Sequence, residues 1–201
     1  ILARRGFSDI EKANEFIRPS KPPNALEHFP QLEKALKRLK VACKSSERVA
    51  VCGDYDADGM TSTALITRVL SKMGAIPVPL IPSRIEEGYG LNKGMVEKLN
   101  VEGIKLIITV DNGINAKEAL QYISDKSMEV ILTDHHVLQI DLPEVLSLLH
   151  PSTTPARSPY RDLAGVGIAY ILANELIRYT GLKIDSSDLL HLFCIGTIAD
   201  M

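Results

Sequence analysis

Three carboxylates stand at alternate positions in Gly53-Asp54-Tyr55-Asp56-Ala57-Asp58-Gly59, directly after a short apolar run. Like charges this close repel unless a cation lies among them, and a dense set of carboxylate oxygens suits a hard divalent ion. Two further acidic turns follow apolar runs: Asp111-Asn112-Gly113 after Val110, and Asp134-His135-His136 after Thr133. Any one such Asp is more often a turn former or helix cap than a ligand. Three of them, with a His pair, make that bland account inadequate. Mixed carboxylate and imidazole donors favour Mn²⁺, Mg²⁺ or Fe²⁺ over structural zinc, which prefers thiolates. An Asp bridging two ions about 4 Å apart would activate water and stabilise charge on a phosphoryl group, so hydrolysis of a phosphate ester or anhydride is the leading reaction class.

Such loops act together only if a scaffold gathers them. Arg48–Cys52, Ile76–Ile81, Lys105–Val110 and Glu129–Thr133 are short and β-prone, and each reads as a strand. Helical patterns alternate with them: Met60–Leu70 closed by Gly74, then about Asn92–Leu99, and one opened by Asn115-Ala116-Lys117-Glu118. The alternation predicts an α/β fold, a mainly parallel sheet with helices on both faces. Ligands of open α/β sheets bind beyond the carboxyl ends of the strands, so the three acidic loops should share one edge. Pro77 and Pro79 assign Ile76–Ile81 to an edge or an irregular path.

A helical N-terminal segment, residues 1–46, precedes the main domain, residues 47–201. In it Ser8-Asp9-Ile10-Glu11 has capping-box spacing for a helix to about Ile17. Pro19–Pro23 reads as a linker, and a second helix spans about Gln31–Cys43 with Leu32, Ala35, Leu36 and Leu39 on one face. Late in the chain come a turn-rich stretch (His150–Arg161), a helix entered through Gly165-Val166-Gly167, and a last helix capped by Ser186 or Ser187 that ends at Asp200. Gly165 and Gly167 either bring a helix N-terminus to a phosphate or allow close packing. His150, before Pro151, either faces the site and helps position a phosphate or, as is more common at a strand end, is structural, and Arg157 with Arg161 reads as solvated surface ahead of a basic rim.

With 201 residues, 45% hydrophobic and 24% charged, the composition is that of an ordinary soluble globular protein. No apolar stretch nears the roughly 20 residues of a membrane span and no leader opens the chain, so a cytoplasmic setting is expected. Cys43, Cys52 and Cys194 are scattered, which argues against a disulfide framework or zinc knuckle. A net charge of −2 argues against binding nucleic acid by overall basicity, so any such contact must come from a local patch.

Pro82-Ser83-Arg84-Ile85-Glu86-Glu87-Gly88-Tyr89-Gly90-Leu91-Asn92 adds an Arg suited to bidentate phosphate contact, beside glycines that let backbone approach a ligand. By itself it is a surface turn. Taken in order with the heptad, Val110-Asp111-Asn112-Gly113, Asp134-His135-His136 and Leu163-Ala164-Gly165-Val166-Gly167, it resembles the DHH phosphoesterase superfamily over nearly the whole chain. The heptad and the Arg84 segment are most similar to its RecJ-like single-stranded-DNA-specific exonucleases.

The resemblance implies two Mn²⁺ or Mg²⁺ ions held by Asp56, Asp58, Asp111 as the bridge, His135 and Asp200. It gives Asp54, Asp134 and His136 the catalytic or orienting roles, and Arg84, Gly88, Tyr89 and Asn112 the contacts to substrate. It also implies 5′→3′ hydrolysis of single-stranded DNA in repair and recombination, with a single-strand-binding protein or helicase as partner of the full-length protein. Two departures stand out: Cys52 occupies a position where many superfamily members have a metal-binding His, and RecJ-like proteins continue into a DHH-associated domain and an OB-fold. The chain is therefore expected to be a catalytic-core fragment that binds metal with poor processivity. A DHH phosphatase acting on short oligonucleotides, a nucleoside bisphosphate or pyrophosphate is the second reading. A non-catalytic DHH-fold module binding DNA or a protein partner is the third.

Overall fold

The apolar runs become strands because both of their faces are covered. The structure, a computed structural model, describes residues 1–18, 22–83, 88–139 and 141–200. In chain order the elements are α1 (Ile10–Ile17), α2 (Ala25–His28), α3 (Leu32–Lys44), β1 (Arg48–Cys52), α4 (Ala57–Lys72), β2 (Ile76–Leu80), α5 (Lys93–Val101), β3 (Leu106–Val110), α6 (Lys117–Asp125), β4 (Glu129–Thr133), β5 (Ser147–Leu149), α7 (Gly165–Thr180) and α8 (Leu190–Ala199). The strands form one parallel sheet in the order β2-β1-β3-β4-β5.

One face of the sheet packs on α3, α4 and α7, where Leu36, Leu65 and Leu172 meet Val49, Val51, Leu106 and Ile108. The other packs on α5 and α6, where Val96, Leu99 and Ile123 meet Ala50, Cys52 and Ile107. Burial on both sides explains why β3 is apolar without alternation, and each fully buried Leu or Ile contributes about 1.5–3 kcal/mol. Residues of α3 lie in the same apolar core as the sheet, and Arg38 on that helix pairs with Glu47 and Glu129.

At the β2 edge, Ile76 and Leu80 exchange hydrogen bonds with the β1 side, through Ile76 N–H to Glu47 O and Gly53 N–H to Leu80 O. Pro77 and Pro79 fall at the alternate positions, where a missing N–H disturbs nothing and blunts the free edge. Three local expectations are corrected. The α1 cap is Asp9, whose side chain accepts from Glu11 N–H, and not Ser8. The turn before α8 is capped by Asp185, not by a serine. The helix after the heptad begins at Ala57, inside it, because the Asp56 side chain caps the Gly59 N–H. Among the described residues, no helix is long and apolar enough to cross a membrane.

Candidate metal centre

Parallel strands put every strand-exit loop on one edge, and the helices that follow start there too. The first loop carries Asp54 and Asp56, the first turn of α4 Asp58, the β3 exit Asp111, the β4 exit Asp134, His135 and His136, and the end of α8 Asp200. Close approach is built in by glycine. A Cβ on Gly59 would lie 2.6 Å from the Asp54 backbone, and one on Gly165 would lie 2.6 Å from Asp111 Oδ1. Asp111 itself has a left-handed backbone, φ 61°, a conformation that Asp tolerates better than most residues and that marks a strained site.

His135 is the hub. Its Nε2 lies 3.0 Å from Asp111 Oδ1 and 3.8 Å from Asp58 Oδ2, and its Nδ1 lies 3.8 Å from Asp200 Oδ2. Among the described residues, two groups have donor atoms close enough together to share an ion: Asp58, His135 and Asp200, and Asp111, His135 and His136. Asp56 belongs to neither. It is exposed and serves as the α4 cap, where a first-motif ligand was expected. His136, expected only to orient or to touch phosphate, instead comes within reach of Asp111, 4.0 Å away.

Both oxygens of Asp58 accept main-chain hydrogen bonds at 2.7 Å, from Gly165 and Val166 at the start of α7. The α7 N-terminus thus serves an anion, but the anion is Asp58 and not a phosphate. Asp134 is fully engaged as well. Its Oδ2 accepts from Ile114 N–H, and its Oδ1 accepts from the main-chain N–H of His135 and His136 and lies 2.8 Å from His136 Nδ1. Burial alone would raise its pKa, but the His136 ring and the main-chain donors prevail and lower it. Asp134 therefore holds the loop and the His136 ring in place. The same contact pushes the His136 pKa up to about 9, which favours the protonated ring, and its Nε2 lies 2.8 Å from Tyr89 Oη.

The residues fit a bound cation. Both carboxylate oxygens of Asp111, and His135 Nε2, are buried without an aligned hydrogen bond. The His135–Asp111 approach lacks hydrogen-bond alignment. Each buried polar atom left so costs about 1–3 kcal/mol, more when charged. Burial raises the pKa of Asp54 and Asp58 and pushes Asp111 up to about 7, with the Asp58 and Asp56 charges adding to the effect on Asp111 and His135 opposing it. A divalent ion reverses that balance and restores the carboxylates. Cys52 offers no donor. It points into the apolar core of the opposite face, and burial pushes its thiol up to about 12.

The substrate-contact expectations divide. Asn112 is buried, accepts from Leu91 N–H and donates to Cys52 O and Val110 O, so its amide ties three loops together and is closed to a ligand. Gly88 and Tyr89 are exposed beside the site, whereas Arg84 lies outside the described residues. Arg161 donates to Thr154 O within its own loop. Two positioning residues lie behind the histidine loop: His150, which the sequence marked as structural, and Asn115, which it marked only as a helix opener. His150 Nε2 reaches His136 O at 2.9 Å while Nδ1 accepts from Ser152 N–H, and the Asn115 carboxamide bridges Val137 O and Gln139 N–H. The signal for His150 was its place before Pro151 at a strand end, and that for Asn115 its nearness to Asp111-Asn112-Gly113.

The DHH family model, described as its N-terminal domain, matches residues 48–197. The chain is 37% identical, over its full length and 25% of the relative's, to the single-stranded-DNA-specific exonuclease RecJ of Bacillus subtilis. A solved structure of exonuclease RecJ bound to manganese covers 89% of this chain, which covers 45% of that one, at TM-score 0.79 and 37% identity. A RecJ complex with Mn²⁺ from Thermus thermophilus likewise covers 89%, with 25% of that chain matched, at TM-score 0.73 and 35% identity. The chain spans 25% to 36% of the length of the curated RecJ relatives it matches. With the matched region reaching from β1 into α8 and containing the β1, β3 and β4 exit loops, this chain belongs to the DHH family.

Proposed function

We propose that this chain is the metal-binding part of a hydrolase that removes nucleotides from the 5′ end of single-stranded DNA, in repair and recombination in the cytoplasm. The observation that carries the reading is the convergence of Asp58, Asp111, His135 and Asp200 at one sheet edge, with both Asp111 oxygens buried and unpartnered. The RecJ relatives support the substrate class, and the manganese-bound neighbours support the metal. Asp58, Asp111, His135 and Asp200 would hold the two Mn²⁺ or Mg²⁺ ions, with Asp54 and Asp56 supplying negative charge beside them. When bound, such a pair supplies an activated water and neutralises charge on phosphoryl oxygens.

The chain's own residues do the rest. Asp134 and the α7 N-terminus fix His136 and Asp58 before substrate arrives, so little reorganisation is left for the reaction. A protonated His136 would present a positive donor toward Tyr89 and the site mouth, where a scissile phosphate would gain from it. A single-strand-binding protein or helicase would act on the full-length protein. Incubating that protein with Mn²⁺ and 5′-labelled single strands should release mononucleotides, and substrate left intact would overturn the proposal.

A further inference from the structure

A cavity of about 420 Å³ opens directly beside His136. Its walls are Tyr89, Leu91, Ile114, Asn115, Val137 and Gln139, none of which the metal chemistry uses. Val137 is 85% exposed and Tyr89 52% exposed, so an aliphatic and an aromatic surface stand in water at the lip of a charged site. The lip is held in place. Asn115 Nδ2 donates to Val137 O and its Oδ1 accepts from Gln139 N–H, both at 3.0 Å, which pins the main chain of 137–139 and leaves the exposed Gln139 carboxamide at the rim. Tyr89 is likewise fixed, by its hydroxyl on His136 and by an edge-to-face contact with Tyr55 at 6.1 Å between ring centroids.

An aromatic side chain, an aliphatic wall and a carboxamide rim match a flat heteroaromatic ring with polar edges. Base–aromatic stacking tolerates any sequence, and an amide can serve the edge of a base. We propose that this cavity seats the base of one of the two nucleotides flanking the bond cleaved, held against Tyr89 and Val137 with Gln139 at its edge. The inference rests on the hydrolase reading for the strand's orientation, since His136 then faces the phosphate attached to that nucleotide. It assigns Val137 and Gln139 to substrate recognition and Asn115 to holding them in place.

The test uses the full-length protein and its Val137→Ser, Gln139→Ala double variant. The probes are single strands that are intact, abasic at the first position, or abasic at the second. Dissociation constants are read by anisotropy in the Asp111→Asn background, and cleavage rates with Asp111 restored. The double variant should weaken binding of intact strands roughly tenfold, with no further loss on one of the two abasic strands. Equal loss on all three, or no loss on intact DNA, would overturn the cavity's role. Absence of cleavage by the unsubstituted protein would overturn the hydrolase reading instead, with the binding comparison still deciding the cavity. Thermal unfolding checks that the exposed substitutions leave the fold in place.

Discussion

Ile108 in the middle of β3 and Asp111 just past its end are equally hidden, at 0% and 1% exposure, yet one is at ease and the other is not. Ile108 is surrounded by apolar side chains inside a complete ladder. Asp111 has two buried oxygens without partners, a left-handed backbone and carboxylate neighbours. Burial alone therefore does not distinguish stability from function here; satisfaction of polar groups does. The interior is stable by itself, whereas the edge is arranged to be completed by a cation.

The largest expected effect separates the two regions most sharply. Asp111→Asn should lower hydrolysis on the order of 10³-fold, as loss of a central group does, while the unfolding midpoint in chelator holds or rises because a buried charge is gone. A lower midpoint in chelator would show that the Asp111 carboxylate supports the fold like a core residue. Next comes Leu36→Ala, at a fully buried position, expected to cost about 2–5 kcal/mol. Urea titrations with Mn²⁺ and with chelator should give the same cost, and a metal-dependent cost would mean that α3 is coupled to the site.

Mn²⁺ itself, at 100 times its dissociation constant, should stabilise the protein by about 2.7 kcal/mol, measured by calorimetry. The shift should vanish in Asp111→Asn, and its survival there would relocate the ion. The smallest effect is assigned to the clamp behind the histidines. His150→Leu removes the donor to His136 O and should lower kcat about tenfold with the KM for DNA unchanged, while His150→Gln, which keeps a donor at similar reach, retains most activity. Equal kcat in all three proteins would reduce His150 to a packing residue.

The strand pattern was open to reading because it is local. Residues 48–52, 105–110 and 129–133 are short apolar runs ending in acid, and the prolines of 76–81 identified an edge from the chemistry of a missing donor. β5 was not legible, since Ser147–Leu149 is three residues long and exists as a strand only through its pairing with β4. α2 is four residues and equally silent. At the site, Asp58, Asp111, His135 and Asp200 were named in sequence and meet in space. The helix cap made by Asp56 and the loop tie made by Asn112 were not legible there, because these roles use the same side chains as a ligand does.

The amino-acid sequence by itself determined which chemistry was available. Acid after each of three strands, with a His pair, leaves few uses other than binding a cation, because like charges cannot be gathered without one. Strand polarity then implied a single edge. Only the tertiary structure decided how the donors divide: which carboxylate faces the others, which caps a helix, and which is bound by the first turn of α7 from more than a hundred residues away. Those choices depend on orientation to within an ångström, and orientation is set by packing between elements that are remote in the chain.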